Sequence, residues 1–204
     1  MTSDAARPSR AATGATPVRN AARVAVALVG VAVLAGCASG PGTGTREYLD
    51  EHSAATVTVV QPGITFARDR TDLAAHARDY FTIVAVDVNR MGTHEQYFYC
   101  MDWSTIDKRA VREPTADGRQ YRLVADGRAI PLTPTSKSLR EIGVVERPIE
   151  HQAKTTSVLL VPMERDVIEY VAQARTLRIL LDDAGTSFRY DLWSGDPGSL
   201  MALP

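Results

Sequence analysis

The run from Val24 to Gly36 constrains this chain more than any other stretch: it holds 13 uncharged residues and stops at Cys37. A helix crossing the hydrocarbon core needs about 20 apolar residues, so the run is too short for a good permanent span. Upstream, Arg7, Arg10, Arg19 and Arg23 stand against a single acid, Asp4. A positive leader, a short apolar core and the small residues Ala35 and Gly36 make the pattern of an export signal. Its basic end stays cytoplasmic while the apolar core, read as a signal helix, enters the membrane. Whatever folds must be built from the residues beyond it.

The last four residues of that pattern, Leu34, Ala35, Gly36 and Cys37, resemble the lipobox of bacterial lipoprotein precursors. The resemblance covers the apolar run and its last four residues, Val24 to Cys37, and no more of the chain. It implies a signal peptide over 1–36, cleavage before Cys37, and a diacylglyceryl group on the Cys37 sulfur. In Gram-negative members a further fatty chain, a palmitate, joins the new amine. One chain holds a protein to a bilayer only marginally, whereas two or more hold it stably. Ala38 stands where an Asp favours inner-membrane retention, so the resemblance implies the periplasmic face of the outer membrane in a Gram-negative host. Residues 37–45, with Gly40, Gly42 and Gly44, read as the lipidated Cys and a flexible tether.

Cleavage removes 36 of 204 residues, and with them four Arg and one Asp. What is left is 168 residues with 19 basic and 23 acidic side chains, a formal charge of −4. That length suits one domain with a core. That charge, with no concentrated basic face, gives no reason to expect a nucleic-acid partner. With Cys37 lipidated, Cys100 is the one remaining cysteine, and its neighbours Phe98 and Met101 place it in a strand as a small buried hydrophobe.

Short runs of β-branched and aromatic residues follow, separated by turn signals. Residues 55–61 and 64–68 flank Pro62 and Gly63, read as a turn. One or two helical turns over 71–79 precede a strand at 80–89, in which Val84, Val86 and Val88 share a face. Met91 to Thr93 turns the chain into a strand over 96–106. Asp126 and Gly127 join strands at 119–125 and 128–132, the strongest hairpin signal here. Residues 133–151 read as a long polar connection with an irregular strand through 142–145. A strand at 154–163 leads to a helix over 164–174 with an apolar stripe of Val167, Ile168 and Val171. Strands at 175–182 and 186–193 close a domain spanning 46–193, and 194–204 reads as a loose tail. The fold class is mainly β: a single antiparallel β-sandwich, immunoglobulin-like in type, with the helix as a crossover between layers. A ligand-enclosing β-barrel is the alternative.

No catalytic constellation is legible, and no cofactor or metal site is expected. His52, His76, His94 and His151 stand at no ligand spacing and read as turn or loop residues. Asp69, Asp72, Asp79, Asp102 and Asp107 are candidates for a carboxylate pair only if the fold brings two together. No GxSxG elbow or SxxK pair surrounds a serine. The informative stretch is 96–103, where alternation puts Tyr97, Tyr99, Met101 and Trp103 on one face, with Phe98 and Cys100 on the other. Tyr97, Tyr99 and Trp103 are therefore the candidate binding residues if that face is open. The alternative is that the face packs under the helix, with Trp103 in the core. The leading expectation is a lipid-anchored, non-enzymatic accessory module that meets an envelope protein partner. An envelope glycan- or lipid-binding module comes second, and a cell-wall hydrolase third.

Overall fold

A computed structural model of the chain describes residues 44–105, 118–150 and 155–204. Residues 1–36, read above as a signal peptide, lie outside the described residues, as do Cys37, Asp107 and His151. Ten strands run in chain order as β1 (Gly44–Asp50), β2 (Ala55–Gln61), β3 (Ile64–Asp69), β4 (Arg78–Arg90), β5 (Thr93–Ser104), β6 (Gln120–Ala125), β7 (Arg128–Pro131), β8 (Thr155–Pro162), β9 (Leu177–Asp183) and β10 (Thr186–Ser194). Helix α1 (Arg165–Gln173) stands between β8 and β9, and a 3-10 helix (Pro197–Ala202) follows β10. Every pairing is antiparallel. The protein is mainly β, with two apolar layers facing each other as in a β-sandwich.

The architecture turns on β4. Its whole length pairs with β5 on one side, Asp79↔Ser104 through Arg90↔Thr93, and β5 pairs in turn with β8. Its other side is shared: β2 pairs along Val86–Asn89 and β3 along Arg78–Ile83. Because β2 and β3 both run antiparallel to β4, they are two halves of one kinked strand, and Pro62-Gly63 is a bulge in it, not the expected turn between separate strands. Two residues are extra at the kink, since Val59 faces Val86 while Ile64 faces Ile83. The kink lets the two halves recruit different neighbours. β2 pairs with β1, from Gly44↔Gln61 to Asp50↔Ala55, and β3 pairs with β10. From β10 the path continues through β9 and β6 to β7, so hydrogen bonds run unbroken from one layer into the other.

The kink has little room. A Cβ on Gly63 would lie 2.8 Å from Val84 Cγ2 and 2.9 Å from Ile83 O, so only glycine fits there. The tight hairpins follow sequence more directly. Met91-Gly92, Asp126-Gly127 and Ala184-Gly185 all take positive φ at both residues, the type I′ geometry that matches strand twist.

The core between the layers takes Phe66, Phe81, Ile83, Phe98, Cys100 and Leu159 from one side and Tyr121, Leu123, Ile179, Leu181 and Tyr190 from the other. Helix α1 crosses between layers as expected and buries Ile168, Val171 and Ala172. The tail is not loose: its 3-10 helix packs on α1 and buries Leu200 and Leu203, and Arg165 donates to Leu203 O at 2.7 Å.

A second apolar cluster lies on the outer face of β2, β4, β5 and β8, where Val57, Val59, Val84, Val86, Val88, Tyr97, Tyr99 and Leu160 are buried under Ile142 and Val144. The cover is the connection over 133–150, which forms no strand. A helical turn runs through it instead, with Ile142 N donating to Ser138 O and Val144 N to Leu139 O. Ser138 and Glu141 cap that turn reciprocally, each side chain bonding the other's backbone N–H. Its far side is pinned by Asp50, whose two carboxylate oxygens take His52 N, Ser53 N and Val145 N at 3.0, 3.1 and 2.9 Å. Gly44 and Thr45, expected in the tether, are already strand residues, paired with Gln61 and Val60. Their exposure explains the difference, since an edge strand with few buried side chains carries no hydrophobic alternation.

Candidate functional site

The candidate ladder divides along its length. Tyr97 and Tyr99 are only 4% and 1% exposed and lie beneath the 133–150 connection, so neither can meet a ligand. They are covered by that connection and not by α1, which packs on the opposite face with Phe98 and Cys100. Trp103 is not in the core. It stands past the end of the cover, half-buried, with its ring stacked on Tyr80 at 4.2 Å between centroids and 15° between planes. The pairing Tyr80↔Trp103 puts these rings directly opposite on β4 and β5.

β10 brings in a third ring. Past the inward-facing Tyr190 the register with β3 shifts between Leu192 and Ser194, and at this irregularity Trp193 is 54% exposed and meets Tyr80 edge-on at 6.4 Å and 74°. Arg78 lies over the Trp193 ring at 4.3 Å and bonds Asp69 at 2.7 Å, which fixes the indole from one side. The three aromatics border a groove of about 550 Å³ with Thr65 and Thr82 at its floor. Thr82 Oγ1 accepts from Trp103 Nε1 at 3.1 Å and shares a hydrogen bond of 3.1 Å with Thr65 Oγ1. Gln61, Glu150 and Ser194 supply polar groups around the rim. Sequence reading missed Tyr80 and Trp193. Only the kinked β2–β3 strand and the β3–β10 pairing bring the end of β10 alongside the end of β4.

The acids converge at a different place and with different chemistry. Asp79, fully buried, takes Arg68 and Arg70 at 2.8 and 2.9 Å. Arg70 also grips Asp72 at 2.8 Å, and that partner holds the Asp72 carboxyl below the usual range. Asp102 accepts from the Tyr121 hydroxyl at 2.9 Å, with Arg119 at 3.7 Å. Burial first, and Asp102 second, push the Tyr121 phenol up. Arg68 spreads its guanidinium 4.1 Å over the Phe188 ring, so this cleft is a self-compensating lattice of arginine, carboxylate and aromatic groups. An acid catalyst needs a carboxyl kept protonated near neutral pH. Guanidinium partners within hydrogen-bond reach favour the ionised form instead.

Of the histidines, His52 and His76 are turn residues, whereas His94 belongs to β5, with Nδ1 at 2.9 Å from the buried Asp87. Among the described residues no group of three His, Cys, Asp or Glu side chains is placed to hold a metal ion. Cys100 is buried and its thiol is pushed up by that burial, the state of a packed side chain and not of a nucleophile. No described helix is long and apolar enough to cross a membrane.

Compared with known proteins, the chain matches no family model, and no curated protein or solved structure matches it.

Proposed function

We propose that this chain is an exported bacterial lipoprotein whose β domain works by binding, as an accessory component held at the envelope by lipid on Cys37. The observation that carries the reading is the lipobox-like Leu34 to Cys37, which ends only six residues before the first strand at Gly44. A chain extended over that tether spans at most roughly 25 Å, so a lipid on Cys37 would keep the domain near the bilayer surface. The binding part of the reading is supported by the site chemistry: the clustered carboxylates are committed to arginine, while an aromatic groove stands open to solvent.

The test is fractionation of cells making the chain or its Cys37→Ser variant, with labelled palmitate and crosslinking in the intact envelope. The reading predicts label and membrane retention for the natural chain, and loss of both in the variant. It also predicts a stoichiometric envelope partner that disappears with the anchor. A Cys37→Ser chain still sedimenting with membranes would overturn the lipid anchor.

A further inference from the structure

We infer that the groove between Trp103 and Trp193 is a carbohydrate site, which takes a neutral sugar ring of a polymeric envelope glycan. The inference deepens the reading of the domain as an exported binding module.

Two features choose the ligand class. Among the described residues the lining includes one carboxylate, Glu150, and no Lys, Arg or His, which disfavours phosphate and other anions. A purely apolar chain would strand the Glu150 carboxylate and the Ser194 hydroxyl against it, at the cost of burying polar groups.

A sugar ring meets the remaining specification. Its C–H face lies on an aromatic surface, while its hydroxyls seek acceptors at the edge. Glu150 has no ion-pair or hydrogen-bond partner among the described residues, so its carboxylate can accept from those hydroxyls. Gln61 is steadied by its own Nε2 donating to Pro148 O at 3.2 Å, which leaves the amide oxygen for a ligand. The volume is in the range of small-molecule sites. The rings are also set in advance: Tyr80 stacks on Trp103, and the Asp69–Arg78 pair holds Trp193, so little order has to be imposed on binding.

The chain has two tryptophans, and both border this groove, so its indole fluorescence reports on the site alone. The experiment titrates the full lipidated chain in detergent micelles with the neutral tetrasaccharides of glucose and of N-acetylglucosamine, following that emission. A saturable change with either sugar is expected. Trp193→Ala, at an exposed position, should weaken binding about 5- to 100-fold, as loss of one stacking platform does. Trp103 still reports in that variant. Glu150→Gln should weaken it severalfold with circular dichroism unchanged. No saturable change with either tetrasaccharide, or unaltered affinity in Trp193→Ala, overturns the inference. The Cys37→Ser chain should bind sugar like the natural chain. A membrane-retained but sugar-binding variant would count against the anchor alone, and a released variant blind to sugar against the groove alone.

Discussion

Arg68 and Asp79 stand directly opposite each other on β3 and β4 and meet at 2.8 Å, with the carboxylate wholly buried. The next pair along, Asp69 and Arg78, reverses the charges and meets at 2.7 Å. One register thus places an ion pair on each face of the sheet. The inner pair fixes β3 to β4 beside the layer junction, and the outer pair orients Trp193.

Removing one member of the inner pair leaves the other charged and poorly hydrated. Asp79→Ala should therefore cost about 3–5 kcal/mol, seen as a lower urea midpoint. Asp69→Ala, whose carboxylate is 68% exposed, should cost less than about 1 kcal/mol. Equal losses in the two variants would show that burial of Asp79 is not what matters.

Gly63→Ala should destabilise the domain by about 1–3 kcal/mol, because a methyl group there meets backbone at Ile83 O as well as Val84. Gly92→Ala meets no atom within 4 Å and is strained only through its positive φ. Heat denaturation of both variants separates crowding from backbone strain.

The cover over the outer face should loosen in acid. Burial raises the Asp50 carboxyl, but the N–H groups of Ser53, Val145 and His52 outweigh it and leave it below the ordinary value near 3.8. A carboxyl lowered in the folded state stabilises fully above its unfolded pKa, and that contribution is lost as pH falls through the folded one. Hydrogen exchange at Val145 should therefore be protected at neutral pH and accelerate below about pH 4, beyond the intrinsic trend of the amide. Asp50→Asn should exchange fast at every pH. Acid-insensitive protection in the natural chain would count against the carboxylate as the pin.

Cys100 should be silent in the native fold. Burial pushes its thiol up and leaves no path to reagent, so Ellman's reagent should find no thiol in the folded Cys37→Ser chain and one in guanidinium. Rapid native reaction would mean that the core opens at β5.

Much of the strand pattern is legible in sequence because period-two alternation and X-Gly turns are local signals. Val84, Val86 and Val88 mark one face of β4, and Asp126-Gly127 marks its hairpin without reference to anything distant. The cover over 133–150 is harder to read. Its polar composition masks two buried side chains, Ile142 and Val144, although Ser138 and Glu141 stand at the spacing of a capping box. That cover decides which half of the aromatic ladder is open, which is why Tyr97 and Tyr99 drop out of the candidate site while Trp103 stays. Trp193 lies 90 residues beyond Trp103, and no periodicity joins them. Pro62-Gly63 reads as a turn locally because its actual role, a kink within one strand, depends on β4 alongside it.

The pairing of Gly44 with Gln61 gives the domain a mechanical entry point. On the proposed lipid anchoring of Cys37, a pull on the domain would reach the sheet at Gly44, and the Gly44↔Gln61 pair would be the first of the described pairs to bear the tension. Gln61 also lines the aromatic groove. Load from the proposed anchor and occupancy of the proposed site would therefore converge on one residue, and a tethered domain under strain would feel it first at the rim of the groove.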